Sequence, residues 1–293
     1  MRLDNSKRAV ISYIGLFLVA FLWGMAFTAV KSTLDYIPAT YMVAIRFTLA
    51  GLCMCILFHK SLRKFNKTNA LHGITIGIFL FFAYITQTIG CNYTTAGKNA
   101  FLTALYVIVV PFLHWFISKK RPELKLFIAA MICIIGIGFI SLEGDMTFNN
   151  GEILSIICGI LFGYQIAYVD KYSEYDDVLV LTISQALTCA VLGWIIAPFI
   201  DGKFNVDCLM NKEVWGGILY IALISTLICN VLQNLCQKYT KPENASLIMS
   251  TESVFGVLGS IIFLGEKPSL KMVFGCVLMM IAIILAQLKA KEK

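Results

Sequence analysis

Ten stretches of the chain, at about 10–30, 39–58, 70–91, 97–117, 124–142, 151–169, 178–198, 214–236, 243–264 and 270–288, are apolar almost throughout. Each is close to the roughly 20 residues a helix needs to cross a bilayer. In hydrocarbon a backbone must satisfy its own hydrogen bonds, so runs of this kind can only be helices packed on helices. The expectation is an all-α integral membrane protein with ten transmembrane helices. Composition agrees: 59% of residues are apolar and 14% charged, against about 45–50% and about 25% in soluble domains. Pro38, Pro122, Pro242 and Pro268 stand at or just before predicted helix starts, where a missing N–H does no harm. The intervening loops are too short for a soluble domain.

The net charge of +7 comes from basic residues gathered at the ends of the apolar runs. That is a topology signal, and no nucleic-acid partner is expected. With the amino terminus inside, 17 basic residues fall on the cytoplasmic side and 6 outside, leaving Arg46 within a span. Both termini are therefore expected in the cytoplasm. The first apolar run is of spanning length and no small-residue cleavage site follows it, so it reads as the first helix, not a leader. Nine of the ten cysteines lie in or beside apolar runs and read as small hydrophobes.

The chain repeats itself. "YTTAGKNAFL" (93–102) returns as "YTKPENASL" (239–247), and "KRPELKLFIAAMICIIGI" (120–137) as "EKPSLKMVFGCVLMMIAI" (266–283). Gln87 and Gln233 precede these matches equally, and "FLWGMAF" (21–27) loosely parallels "ILFGYQI" (160–166). Two units follow, 1–142 and 143–293, each of five helices. An odd number of spans inverts the second unit, so the fold expected is two inverted five-helix repeats, an arrangement common in secondary transporters. Duplication without transport is the plainer alternative.

The segments "FLWGMAFTAVK" (21–31), "AIRFTLAGL" (44–52), "QTIGCNYTTAGKNAFLTALYVIVVP" (87–111) and "STESVFGVLGSIIFLGEKPSL" (250–270) resemble the EamA-type members of the drug/metabolite transporter superfamily, the bacterial ten-helix group. The resemblance spans nearly the whole chain. It departs at "SKKRP" (118–122), where the family often has a Gly-Glu pair like Gly265–Glu266, and in the sixth helix. It implies a multi-pass protein of the bacterial inner membrane. It also implies export, or less often uptake, of amino acids or small metabolites through a central cavity.

Polar side chains in lipid must face a partner or a wet cavity. Tyr84, Gln87, Thr88 and Cys91 form one face of the third helix, and Thr226, Asn230, Gln233, Asn234 and Gln237 one face of the eighth. Asn99, Thr103 and Tyr106 share a face of the fourth, the sixth adds Tyr164, Gln165 and Tyr168, and the first offers Trp23. Interhelical hydrogen bonding is the plain explanation for any one of them. The coincidence of stripes on repeat mates argues for a shared cavity. The candidate lining is Trp23, Tyr84, Gln87, Thr103, Tyr106, Tyr164, Gln165, Asn230, Gln233 and Glu252.

Glu252 lies near the centre of its span. It has two functional readings, a proton carrier for coupling or a counter-charge for a substrate amine, and one structural reading, pairing with Arg46. Arg46 is the charge-pair candidate. Lys98 and Glu243 begin matching helices as gate charges or interface anchors. His114 reads as interfacial, His59 and His72 as loop-edge residues, and Glu266 as a structural residue of an outer turn. The fifth and tenth helices, nearly free of polar residues, are expected at the periphery as scaffold or oligomer contact.

No metal-protease, nucleophile-elbow, Walker or dinucleotide motif occurs. No enzyme activity, metal or cofactor is expected. Without an ATP-binding module, active transport would draw on protons, another gradient or exchange. The partners expected are a small metabolite and membrane lipid. Two other readings stay open, an uncoupled facilitator or uptake carrier and an intramembrane lipid-modifying enzyme. The second would need a cluster of acids that Glu252 alone does not supply.

Overall fold

The computed structural model describes residues 5–118, 124–141 and 149–287. Its long helices are α1 (Asn5–Leu34), α2 (Ala39–Leu57), α3 (Lys67–Tyr93), α4 (Ala96–Phe116), α5 (Leu124–Ser141), α6 (Asn150–Ser173), α7 (Val178–Ile200), α8 (Val214–Gln237), α9 (Pro242–Leu264) and α10 (Leu270–Gln287). Eight are long and apolar enough to cross a membrane. Helices α5 and α10 run for 18 residues each, with shorter apolar cores at Phe127–Gly136 and Leu270–Ala282. Pro122, the "KKRP" departure and the basic tail lie outside the described residues.

Local chemistry sets the helix starts. Asn66 and Asn149 each close a capping box, with Asn69 and Glu152 as the reciprocal partners. Asp177 caps α7 by accepting from the Leu179 and Val180 amides. Burial raises the Asp177 pKa, but the Lys64 ammonium and those amides outweigh it and hold the carboxyl below its ordinary value. The cap is therefore intact at neutral pH and fails only as pH falls through that lowered value. Helix α6 runs past the expected end at 169 because Tyr172 stacks on His72, with centroids 3.9 Å apart.

Three helices depart from regular geometry. Helix α4 is broken after Thr103 and resumes at Tyr106. Its repeat mate α9 is broken after Ser250 and resumes at Glu252. Around the second break the Ser250, Thr251 and Ser253 hydroxyls bond to carbonyls three residues back, competing with the helical ladder. In α8 the segment Tyr220–Ile228 is wound as a π-helix, a geometry concentrated at functional sites.

Glycines permit the closest helix approaches. A Cβ on Gly24 of α1 would stand 2.4 Å from the Phe255 Cβ and 2.8 Å from the Glu252 carbonyl oxygen, and one on Gly256 would stand 2.5 Å from the Ala100 Cβ. Helices α1, α4 and α9 thus touch almost backbone to backbone beside Glu252. Helices α5 and α10 pack on each other, with Phe139 against Phe274 at 4.9 Å. Their other faces, including Ile134 and Val277, are exposed as lipid-facing residues would be.

Polar contacts hold both ends of the bundle. At the end opposite the amino terminus, Lys98 of α4 pairs with the buried Glu152 of α6 at 3.3 Å. Lys31 of α1 donates to the Cys91 and Thr94 carbonyls that close α3. Glu266 accepts from the Ala96 and Gly97 amides at 2.8 and 3.2 Å, capping α4 from the turn after α9. At the amino-terminal end, Lys64 meets Asp177 at 2.7 Å and His72 meets Asp176 at 2.6 Å. His114 of α4 binds Glu243 of α9. Three expectations are corrected here. Lys98 pairs with Glu152 and Glu243 hydrogen-bonds with His114, each across two helices rather than as an interface anchor. His114 is likewise a bridge between helices, because α4 and α9 bring it against Glu243. His72 sits inside α3 rather than at a loop edge.

Two stability predictions follow from this packing. Gly256→Leu will force α9 away from α1 and α4, costing about 1–3 kcal/mol, read as a fall in thermal midpoint of the detergent-solubilised protein. Glu266→Ala removes the carboxylate cap of α4 and will cost about 1 kcal/mol by the same measurement.

Candidate functional site

Seven helices, α1–α4, α6, α8 and α9, converge on a cavity at mid-bundle. Its polar lining is Trp23, Arg46, Tyr84, Gln87, Asn99, Tyr106, Ser225, Gln233 and Glu252, and its apolar lining is Ala26, Phe27, Val30, Phe162 and Ile166. The cavity volume is about 30 Å³. That holds a water or two and is too small for an amino acid.

The helix breaks place its charged wall. Tyr106 and Glu252 each open the second half of a broken helix, 146 residues apart, and the Tyr106 hydroxyl donates to Glu252 Oε1 at 3.0 Å. The same 146-residue interval separates Gln87 from Gln233, and both line the cavity. Glu252 is 3% exposed, and among the described residues its Oε2 has no hydrogen-bond partner. Glu252 lies in the first turn of its half-helix, where the helix dipole favours negative charge.

On another wall Arg46 is 2% exposed. Its Nε donates to Thr226 Oγ1 at 2.7 Å and its Nη2 to Ser225 Oγ at 3.1 Å, while the guanidinium lies 4.5 Å above the Tyr84 ring. The π-winding of α8 makes this clamp. It allows Thr226 Oγ1 to bond the Ile221 carbonyl five residues back and leaves the Ser225 carbonyl for the Trp23 indole at 2.8 Å. Among the described residues Arg46 Nη1 has no hydrogen-bond partner, and Arg46 lines the cavity.

The expected charge pair between Arg46 and Glu252 does not form: Arg46 meets hydroxyls of α8 rather than the carboxylate. The reason is positional, since the π-turn draws the guanidinium to one wall and the broken α9 presents the carboxyl from another. A guanidinium and a carboxyl group thus line one small cavity without pairing with each other.

Of the ten lining candidates, Trp23, Tyr84, Gln87, Tyr106, Gln233 and Glu252 line the cavity. Four do not. Thr103 stands behind Gln87, whose Nε2 lies 3.5 Å from its hydroxyl. Gln165 is fully buried behind Gln233, accepting from it at 3.3 Å. Asn230 donates down its own helix to the Thr226 carbonyl. Tyr164 turns outward to stack on Phe79 at 5.1 Å. Helical spacing selects a face but not the arc of it that a neighbouring helix covers. Among the residues missed, Asn99 shares the Thr103–Tyr106 face and was legible from spacing. Ser225 was not, because a π-turn shifts helical phase by one residue, about 100°.

Comparison with known proteins agrees with this architecture. The model of the EamA-like transporter family matches twice, over residues 10–142 and 149–288. An uncharacterized transporter of Archaeoglobus fulgidus is 32% identical over 276 residues, covering 94% of this chain and 85% of that protein. The uncharacterized transporter YdfC of Bacillus subtilis is 21% identical over 98% of this chain and 94% of its own length. A solved crystal structure superposes with a TM-score of 0.72 over 95% of this chain and 96% of that one, at 14% identity, a likeness of fold alone. With its helical membrane architecture and a family match over nearly its whole length, the chain belongs to the EamA-like transporter family.

Proposed function

We propose that this transporter is a secondary carrier that exports amino acids or related small metabolites across a bacterial inner membrane, with both termini cytoplasmic. The units 1–142 and 143–293 would act as inverted repeats around the central cavity. One observation carries the reading: Arg46 and Glu252 line the same cavity, each buried, each with an unused polar atom, and not paired with each other. A buried charge without a counter-charge is costly. A molecule carrying both a carboxylate and an amine would satisfy the two at once. Trp23, Tyr84 and Phe162 supply aromatic surface, and Gln87, Asn99 and Gln233 supply amides, the mixture that binds small polar solutes.

Alternating access is supported by size. Two waters fill the cavity as it stands, so the helices must part for a metabolite to enter. The breaks at Tyr106 and Glu252 are places where they can. The Lys98–Glu152 pair at one end and His114–Glu243 at the other join helices of different halves, and each must open in its turn. Export rather than uptake rests on the resemblance to the family. Proton coupling rests on Glu252, a carboxyl held by a single hydroxyl donor at the meeting point of the broken helices.

Counterflow of radiolabelled amino acids in proteoliposomes tests the reading, and flux of none of a broad panel would refute it. Arg46→Gln is expected to slow counterflow at least about tenfold, while amines lacking a carboxylate move as before. Glu252→Gln is expected to lose accumulation driven by an imposed pH gradient and to slow amino-acid counterflow about tenfold, while carboxylates lacking an amine move as before. Accumulation unchanged in Glu252→Gln would place coupling elsewhere, and no pH-driven accumulation by the parent would make the protein an uncoupled carrier.

A further inference from the structure

Helix α7 begins 139 residues after α2, at Val178 and Ala39, the same interval that separates "FLWGMAF" from "ILFGYQI". By that interval Gln185 stands where Arg46 stands in the first half. Arg46 rests on α8, finding Ser225 and Thr226. Gln185 rests on α3, where a Cβ on Gly77 would stand 2.9 Å from the Gln185 Cα. The α3 positions 146 residues before Ser225 and Thr226 are Phe79 and Leu80, which offer no hydroxyl. Gln185 is 0% exposed, and neither its Nε2 nor its Oε1 has a partner.

Other buried amides on the helices of this half are unsatisfied in the same way. One turn earlier on α7, Thr182 accepts from Asn234 Nδ2 at 2.9 Å, while Asn234 Oδ1 is left without a partner. On α6 and α8, Gln165 Nε2 and Gln233 Oε1 are buried and unpartnered as well. Gln233 also lines the central cavity, so the cluster continues from it toward the amino-terminal end, where Gln233 meets Gln237 at 2.9 Å. Buried amides without partners cost free energy, and native proteins keep them where water or a ligand completes the set.

We propose that Gln185, with Asn234, Gln165 and Gln233, forms a second polar station, the mirror counterpart of the Arg46 site, on the amino-terminal side of the central cavity. Being uncharged and offering donors and acceptors together, it takes a neutral hydrogen-bonding group. That group is the amide or hydroxyl of a solute in transit, or the water that replaces it. A cation at Arg46 followed by a neutral station at Gln185 would let a charged solute leave the tight site without meeting a second one. The proposal rests on the central cavity as the substrate site.

The test uses the full-length protein in proteoliposomes, with Gln185→Leu and Gln185→Met beside the parent. Removing an unpaired amide is expected to raise the thermal midpoint by about 2–4 °C, while amino-acid counterflow falls about tenfold. A fall confined to glutamine and serine, with leucine unaffected, assigns the station to solute, and an equal fall for all three assigns it to water. Unchanged counterflow for all three overturns the proposal. If neither variant folds, or if the parent moves no amino acid and the central-cavity reading fails, Asn234→Cys in a background with the other cysteines replaced by alanine decides. A membrane-impermeant methanethiosulfonate is expected to label it from one membrane face only and to spare Leu235→Cys. Absence of labelling from either face overturns the station.

Discussion

Hydrocarbon offers the backbone no hydrogen bonds, and that constraint organises this protein. Every span is helical, and any interruption must be compensated inside the bundle. The two breaks, after Thr103 in α4 and after Ser250 in α9, face one another at mid-depth. There Tyr106 and Glu252, which open the second halves of the two helices, are joined by a hydrogen bond. The freed helix ends are buried in protein beside the cavity, where irregular backbone at membrane depth is tolerated.

The third irregularity has a different consequence. The π-winding of Tyr220–Ile228 sets two hydroxyls under Arg46 and hands the Ser225 carbonyl to Trp23. A guanidinium at this depth would otherwise seek a carboxylate, and Glu252 is the one lining the same cavity. Hydroxyls and the Tyr84 ring hold Arg46 without neutralising it, so its charge stays available. The same reasoning makes the neutral, unpartnered Gln185 informative: the two halves share a framework but have diverged in charge at equivalent places.

Much of the framework was legible from residues alone. Apolar runs located the helices to within a few residues, because length and hydropathy are all the bilayer demands. The stripes on α3 and α8 were legible because helical period converts spacing into a face, and Gln87 and Gln233 do reach the cavity. The pairings between helices were not legible. Lys98 and Glu152 are separated by 54 residues and His114 and Glu243 by 129, and nothing local distinguishes a charge that anchors at an interface from one that bridges two helices.

By itself, then, the sequence determined the solvent this chain lives in, the helical class and the internal repeat, since each follows from local hydropathy and self-similarity. Only the tertiary structure decided which polar residues meet. Tyr164 and Gln165 are neighbours on one helix, yet one stacks outward on Phe79 and the other is sealed behind Gln233. Arg46 and Glu252 were natural partners by charge, yet they stand unpaired on different walls. The physical reason is that helix phase and crossing, both altered by two breaks and one π-turn, fix side-chain direction, and those depend on what packs against each helix.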